Sequence, residues 1–223
     1  MDHNRSLAIT LAIIGYFLML SPAEILAQKS KPGQFDYYLL ALSWSPTYCA
    51  EKGQNDPQQC GVGKQLGFVL HGLWPQNTKG WPQNCTQEAL KDRTLALFSS
   101  LFPSEKLARH EWKKHGTCSG LSQQGYLNLS KKLKDGVRIP TAYQRPTQPF
   151  RTTADALKQA FIQENATIKA DGLAPICAGG GRFFQELRVC FNKNGFPTGC
   201  SDEVLRVSKR SCGQPDFLVR SVR

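Results

Sequence analysis

The 223-residue sequence contains no internal repeat, low-complexity tract or long linker, so neither a solenoid nor a string of modules fits it. One domain is the simplest organisation, and the chain is long enough to bury its own core. None of its eight cysteines forms a C-x-x-C pair, which removes the common zinc modules. The glycine-rich "AGGGR" at Ala178–Arg182 lacks the Lys-Ser/Thr of a phosphate-binding loop and reads as a flexible connection. Beyond Leu20 no segment is apolar enough to cross a bilayer. Histidine is scarce too, with four in the whole chain, a scarcity that makes their positions informative.

The first residues have a distinct layout. Arg5 precedes an apolar run from Leu7 to Leu20, and small residues follow it. This is the pattern of a secretory signal peptide spanning residues 1–27, with cleavage after Ala23 or Ala27. An uncleaved anchor is the alternative, and the run is short for one. Residues 28–223 then form the mature domain. Lys+Arg number 28 and Asp+Glu 17; without Arg5, Asp2 and Glu24 the mature chain keeps an excess of +12. Such an excess favours a polyanionic partner: nucleic acid, anionic lipid or charged polysaccharide. All eight cysteines, at 49, 60, 85, 118, 177, 190, 200 and 212, lie in this exported part. An even count behind a signal peptide implies four disulfides in an oxidising compartment, with 105 pairings open. Asn84, Asn128 and Asn165 begin N-x-S/T sequons, which matter only in a glycosylating cell.

Phe35–Trp44, "FDYYLLALSW", and Gly67–Trp74, "GFVLHGLW", read as largely buried strands. "TQEALKDRTLALFSSLF" predicts a helix behind Thr86 as N-cap, with Leu90, Leu97 and Leu101 on its apolar face. "SQQGYLNLSKKLKDG" predicts another: Ser122 caps, Tyr126, Leu129 and Leu133 face inward, and Gly136 terminates. A third begins at "TTADALKQAFIQE", with Thr152 and Asp155 at capping-box spacing. After Pro175 the period returns to two, with Leu187, Val189 and Phe191 alternating before an Asn-Gly turn. Helices in mid-chain and strands at both ends predict an α+β fold, a central, mainly antiparallel sheet with helices packed against it.

One segment is crowded with ionisable chemistry: "ARHEWKKHGTCSG", Ala108 to Gly120. As a helix from about Leu107 to His115, ended by Gly116, it places Lys114 about 40°, Glu111 about 100° and His115 about 140° from His110. Trp112 and Lys113, at about 200° and 300°, fall outside that arc, so Trp112 is free to enter the core. A solvated face would scatter its charges in the same way, so periodicity alone decides nothing. Histidine placement is sharper. His3 leaves with the leader, His110 and His115 lie here, and His71 sits within the strand "FVLHGLWPQ".

"HEWKKH" differs from the zinc motif H-E-x-x-H: its histidines are five apart and diverge by about 140° on a helix. Lys114 beside His115 would also repel a cation. Two histidines with a lysine and a carboxylate suit acid–base cleavage of a phosphodiester instead. One imidazole takes the proton of an attacking hydroxyl, the other protonates the leaving oxygen, and a cation steadies the phosphoryl charge. Both begin near a pKa of ~6.5, so one can be neutral and the other charged in mild acid. RNA supplies the nucleophile as its 2′-OH; DNA lacks it and is not expected to be cut. An RNA-binding protein without turnover and a metallohydrolase are the competing classes.

At "FVLHGLWPQ" and "HEWKKHGTC" the sequence resembles the two active-site segments of the RNase T2 family of secreted endoribonucleases. The likeness extends to "FDYYLLALSWSPTYC" and to the cysteine-bearing strands near the C-terminus, covering essentially the mature chain. It implies His115 as general base, His71 as general acid, Lys114 and Glu111 as supports of the transition state, and His110 as a phosphate contact. It further implies cleavage of single-stranded RNA through a 2′,3′-cyclic phosphate to a 3′-phosphate, with low base specificity, no metal and no other cofactor. The family places a base on Trp74; Trp81 resembles a second aromatic wall, and Gln76 stands where some members have Asp. Pro103 and Ser104 match a second base site. Bridges Cys49–Cys60, Cys85–Cys118, Cys177–Cys212 and Cys190–Cys200 are implied as well, the second tying the end of the catalytic helix to the loop after His71. Ala108 replaces an aromatic residue that many members carry. A monomer exported to a periplasm or the medium is expected.

Overall fold

A computed structural model describes residues 30–222; the leader expected at residues 1–27 lies outside them. Six strands and seven helices follow one another in the described chain. The strands are β1 (Tyr37–Trp44), β2 (Phe68–Gln76), β3 (Phe150–Thr152), β4 (Leu173–Ala178), β5 (Phe183–Asn192) and β6 (Phe217–Val219). The helices are α1 (Ser45–Lys52), α2 (Pro57–Cys60), α3 (Asp92–Leu97), α4 (Glu105–Lys114), α5 (Gln123–Gly136), α6 (Ala154–Glu164) and α7 (Asp202–Ser211). The sheet order is β2-β1-β5-β6-β3, with β4 also paired to β5. Every named pairing is antiparallel except the short contact of β5 with β6. The fold is therefore α+β with a mainly antiparallel sheet.

Period-two alternation sorts the side chains of β1 and β5 onto two faces. Tyr38, Leu40, Leu42 and Trp44 join Leu187, Val189 and Phe191 in the main core, which Trp112, Tyr126, Leu127, Leu157 and Phe161 complete from the helices. On the opposite face Tyr37, Leu39, Ala41 and Cys190 form a smaller cluster with Val204 of α7. Ser43, Glu186 and Arg188 belong to this second face, since Ser43 pairs with Glu186 and Ala41 with Arg188.

β2 breaks the alternation once. Leu42 pairs with Leu70 and Ala41 with Gly72, leaving His71 as the extra residue of a β-bulge. A bulge re-aims the chain locally. Here it lets Leu70 and Leu73 both reach the core while His71 turns toward the second face. Tyr126 of α5 anchors this strand from below, its buried hydroxyl donating to the Leu73 carbonyl at 2.9 Å.

Four disulfides fasten the loops: Cys49–Cys60, Cys85–Cys118, Cys177–Cys212 and Cys190–Cys200. Cys118 follows α4, so its bridge holds the end of that helix against the segment leading away from β2. The backbone N–H of Asn84 adds a hydrogen bond to the Lys114 carbonyl at 2.9 Å.

Two helix starts differ from the sequence expectation. No helix begins at Thr86; residues 83–91 are irregular, α3 starts at Asp92, and Leu97 points to solvent at 70% exposure. Neighbouring side chains satisfy this segment's carbonyls in place of a helical ladder. Trp112 donates to Glu88, Gln123 to Ala89 and Arg109 to Leu90. Thr152 ends β3, and Thr153 is the cap of α6, its hydroxyl accepting from the Ala156 N–H. Asn165 is buried, with its amide bonded to Arg138 and Phe161, so the folded chain does not present it to a glycosylating enzyme.

Tyr126→Phe should lower stability by about 1–3 kcal/mol, because the Leu73 carbonyl is left without its partner in a dry site. Urea unfolding measures this directly. A loss below about 0.5 kcal/mol would show that the hydroxyl does not anchor β2.

Candidate active site

α4 delivers the charged segment. Ser104 caps it, accepting from the Leu107 N–H, and Ala108 and Trp112 bury one side in the core. Ala108 occupies a fully enclosed position, consistent with a small side chain there. The helix ends at Lys114, with His115 as its cap and the His115 N–H bonded to the Glu111 carbonyl. Gly116 follows in a short 3-10 turn where an added Cβ would collide with Trp112. Glu111 and His115 are therefore buried on the side that faces β2, whereas His110 stays exposed.

His71 meets two carboxylates at once. Its Nδ1 lies 2.7 Å from Glu186 Oε2, and its Nε2 lies 3.8 Å from Glu111 Oε1. Glu186 also accepts from Ser43 Oγ at 3.1 Å and from Arg188 Nε at 2.8 Å. Trp74 donates its indole N–H to Glu111 Oε2 at 2.7 Å. The indole ring stacks on His115, with centroids 5.2 Å apart and planes inclined by 27°. His71 meets the same ring edge-on at 5.1 Å, and the Arg188 guanidinium lies 5.3 Å from it. Gly72 makes this closeness possible, since a Cβ there would overlap both Glu111 Oε2 and Trp74 Nε1.

Charge states follow from these contacts. Burial opposes the His71 imidazolium, but the hydrogen bond and charge of Glu186, helped by Glu111, outweigh it and raise the pKa. For Glu186, burial alone would favour the acid form; the His71 hydrogen bond and the charges of His71 and Arg188 prevail and bring it down to about 2. Burial pushes Glu111 up to about 7 despite the pull of His71, the Trp74 hydrogen bond and Lys114. His115 moves the other way, down to about 3, because it is buried and faces the positive charges of Lys114, His71 and His110. His110 is lowered by burial and by Lys114, His71 and Lys113. The two imidazoles proposed as acid and base thus hold opposite charge states over a wide range of pH.

Two cavities meet at His71 and His110. The smaller, of about 270 Å³, is lined by His71, Trp74, Gln76, Trp81, His110, Glu111, Lys114, His115 and Arg188. The larger, of about 710 Å³, is lined by Tyr48, Lys52, His71, Ser104, Lys106, Leu107 and His110. All five ionisable residues singled out in the sequence are thereby brought together, with Trp74, Gln76 and Trp81. Gln76 is buried, its amide donating to the Pro75 carbonyl, and Trp81 is half exposed at the rim. Ser104 lines the larger cavity while capping α4, and Pro103 lines neither. Glu186, Arg188 and Ser43 were not identified from sequence. Their one signal is an i, i+2 pair of charges in β5 opposite the apolar alternation, a pattern that ordinarily marks a wet strand face.

Gly72→Ala should push Glu111 and Trp74 apart without unfolding the chain. The Trp74 indole N–H, deprived of its carboxylate, should then move upfield in the proton spectrum. Indole resonances superimposable on those of the wild type would contradict the packing described.

The family model described as "Ribonuclease T2 family" matches residues 35–200. A ribonuclease of Aeromonas hydrophila is 41% identical over 218 residues, 92% of this chain and 96% of that protein. Ribonuclease DdI of Dictyostelium discoideum is 33% identical over 201 residues, 82% of this chain and 86% of its own. Among solved structures, ribonuclease MC1 from bitter gourd seeds superposes with a TM-score of 0.63 at 23% identity, covering 82% of this chain and 99% of that one; that likeness is one of fold. The chain belongs to the ribonuclease T2 family.

Proposed function

We propose that this chain, an RNA endonuclease by family, cleaves single-stranded RNA without a metal, in two steps. His115, neutral and buried beside the reaction cavity, accepts the 2′-OH proton as the oxygen attacks phosphorus. His71, charged, gives its Nε2 proton to the departing 5′-oxygen. A 2′,3′-cyclic phosphate forms, and its later hydrolysis leaves a 3′-phosphate. Lys114 balances the negative charge on the phosphoryl oxygens, with Glu111 beside it, and His110 contacts the phosphate from the exposed side. The phosphate's own charge raises the basicity of His115 once substrate is bound, which brings it closer to the strength a general base needs.

The observation that carries this reading is the meeting of His71, His110, Glu111, Lys114 and His115 around one cavity with opposite charge states on the two key imidazoles. Base binding falls to Trp74, Gln76 and Trp81 in the smaller cavity, and to Ser104 with its neighbour Pro103 beside the larger. Trp74 is partly buried and lines the smaller cavity. A glutamine at position 76 both donates and accepts hydrogen bonds, which suits low base specificity. DNA lacks the 2′-OH and would bind without being cut.

The same reading makes the chain an exported monomer, in a periplasm or the medium, that needs no cofactor. Four disulfides suit an oxidising compartment, and no helix among the described residues is long and apolar enough to cross a membrane.

RNA incubated with the protein in excess EDTA should yield cyclic-phosphate ends first and 3′-phosphate ends later, with DNA left intact. His71→Ala and His115→Ala should each lower kcat by about 10²–10⁴ while KM changes little. Cleavage that needs added divalent metal, equal cutting of DNA, or near-wild-type rates in both variants would overturn the proposal.

A further inference from the structure

We propose that Glu186 is the positioning residue of the reaction, a buried carboxylate that fixes His71 as an Nδ1–H tautomer and keeps its Nε2 proton available for the leaving oxygen. The inference rests on the reading of His71 as general acid and extends it to a residue outside both active-site segments.

The geometry is specific. Glu186 is 3% exposed, on β5 opposite Ser43. Its Oε2 lies 2.7 Å from His71 Nδ1 and accepts from Ser43, and its Oε1 accepts from Arg188. An ionised carboxylate only accepts hydrogen bonds, so Nδ1 must carry hydrogen whether the ring is charged or neutral. Nε2 is then the one nitrogen whose proton comes and goes. When the P–O5′ bond breaks, the Nε2 proton moves to the 5′-oxygen, and His71 becomes neutral with Nδ1–H still held. In the hydrolysis step the bare Nε2 takes a proton from water as its oxygen attacks phosphorus; the P–O2′ bond opens, and His115 returns to the 2′-oxygen the proton it took in the first step. Glu186 exchanges no proton in either step.

Arg188 is what keeps Glu186 ionised when His71 is neutral. A buried carboxylate without a cation would itself pick up the proton; the Arg188 hydrogen bond removes that option. The groups facing His71 are thus Glu186 and Arg188 from β5, and Glu111, His110 and His115 from α4 and its C-terminal cap. Of these, Glu186 alone bonds to Nδ1. The raised pKa of His71 and the lowered one of Glu186 agree with this arrangement. The bulge at His71 serves the same contact, since it turns the ring off the core side and onto the Ser43–Glu186 pair.

Glu186→Gln keeps an acceptor for Nδ1–H and removes the charge. The alkaline limb of its kcat/KM profile should fall by about one pH unit or more. kcat at neutral pH should drop at least about tenfold and recover toward acid, with KM little changed. A loss that is uniform across pH, or no loss, would reduce Glu186 to a structural part. Wild-type protein gives a second test that needs no variant. Nitrogen-15 shifts of neutral His71 should show a protonated Nδ1 and a bare Nε2, and the opposite tautomer would overturn the assignment. That spectrum is independent of turnover, so an inactive protein with the expected tautomer would fault the ribonuclease reading and leave the Glu186 contact standing.

Discussion

The ion pair of His71 with Glu186 is the contact on which the site depends. Without a buried anion behind it, the His71 imidazole would shed its proton, because burial and then the charge of Arg188 both disfavour the charged form. With Glu186 at hydrogen-bond distance, His71 stays charged, and its charge in turn helps to keep His115 neutral. One carboxylate thereby separates two chemically identical side chains into a charged ring and a neutral one, the pair that the proposed reaction uses as acid and base.

This separation requires the backbone to hold both rings in one small space, and several ordinary features of the fold contribute. The bulge in β2 turns His71 toward Glu186. Gly72 removes the Cβ that would displace Glu111 and Trp74. Tyr126 secures the edge strand through the Leu73 carbonyl, and the Cys85–Cys118 bridge fixes the end of α4 that carries Lys114 and His115. Trp74 links the halves, bonded to Glu111 and stacked on His115. Fixed separation between acid and base is where such an arrangement gains rate.

Most of the charged half of the site was legible in the sequence, because His110, Glu111 and Lys114 lie on one helix with His115 as its cap, and His71 is the remaining histidine of the described residues. Strands β1, β2 and β5 were legible for a related reason: their apolar runs have few other uses. The helix expected behind Thr86 begins only at Asp92, and the cause lies in residues distant in sequence. Trp112, Arg109 and Gln123 take the carbonyls that a helix would have needed, and local leucine spacing carries no trace of that. The cap of α6 shifted by one residue because two threonines compete and β3 claims the first. Glu186 was invisible for the plainest reason. A Glu and an Arg two apart on a strand look like a solvated edge until the bulge in another strand brings a histidine against them.

A proton NMR titration of His71, His110 and His115, in the absence of substrate, tests the separation of charge states most directly. His71 should be the last to lose its proton as pH rises, above the ordinary histidine value, while His115 should stay neutral down to about pH 3. If His115 titrated above His71, or if both titrated together near the ordinary value, the division into acid and base described for this site would be wrong.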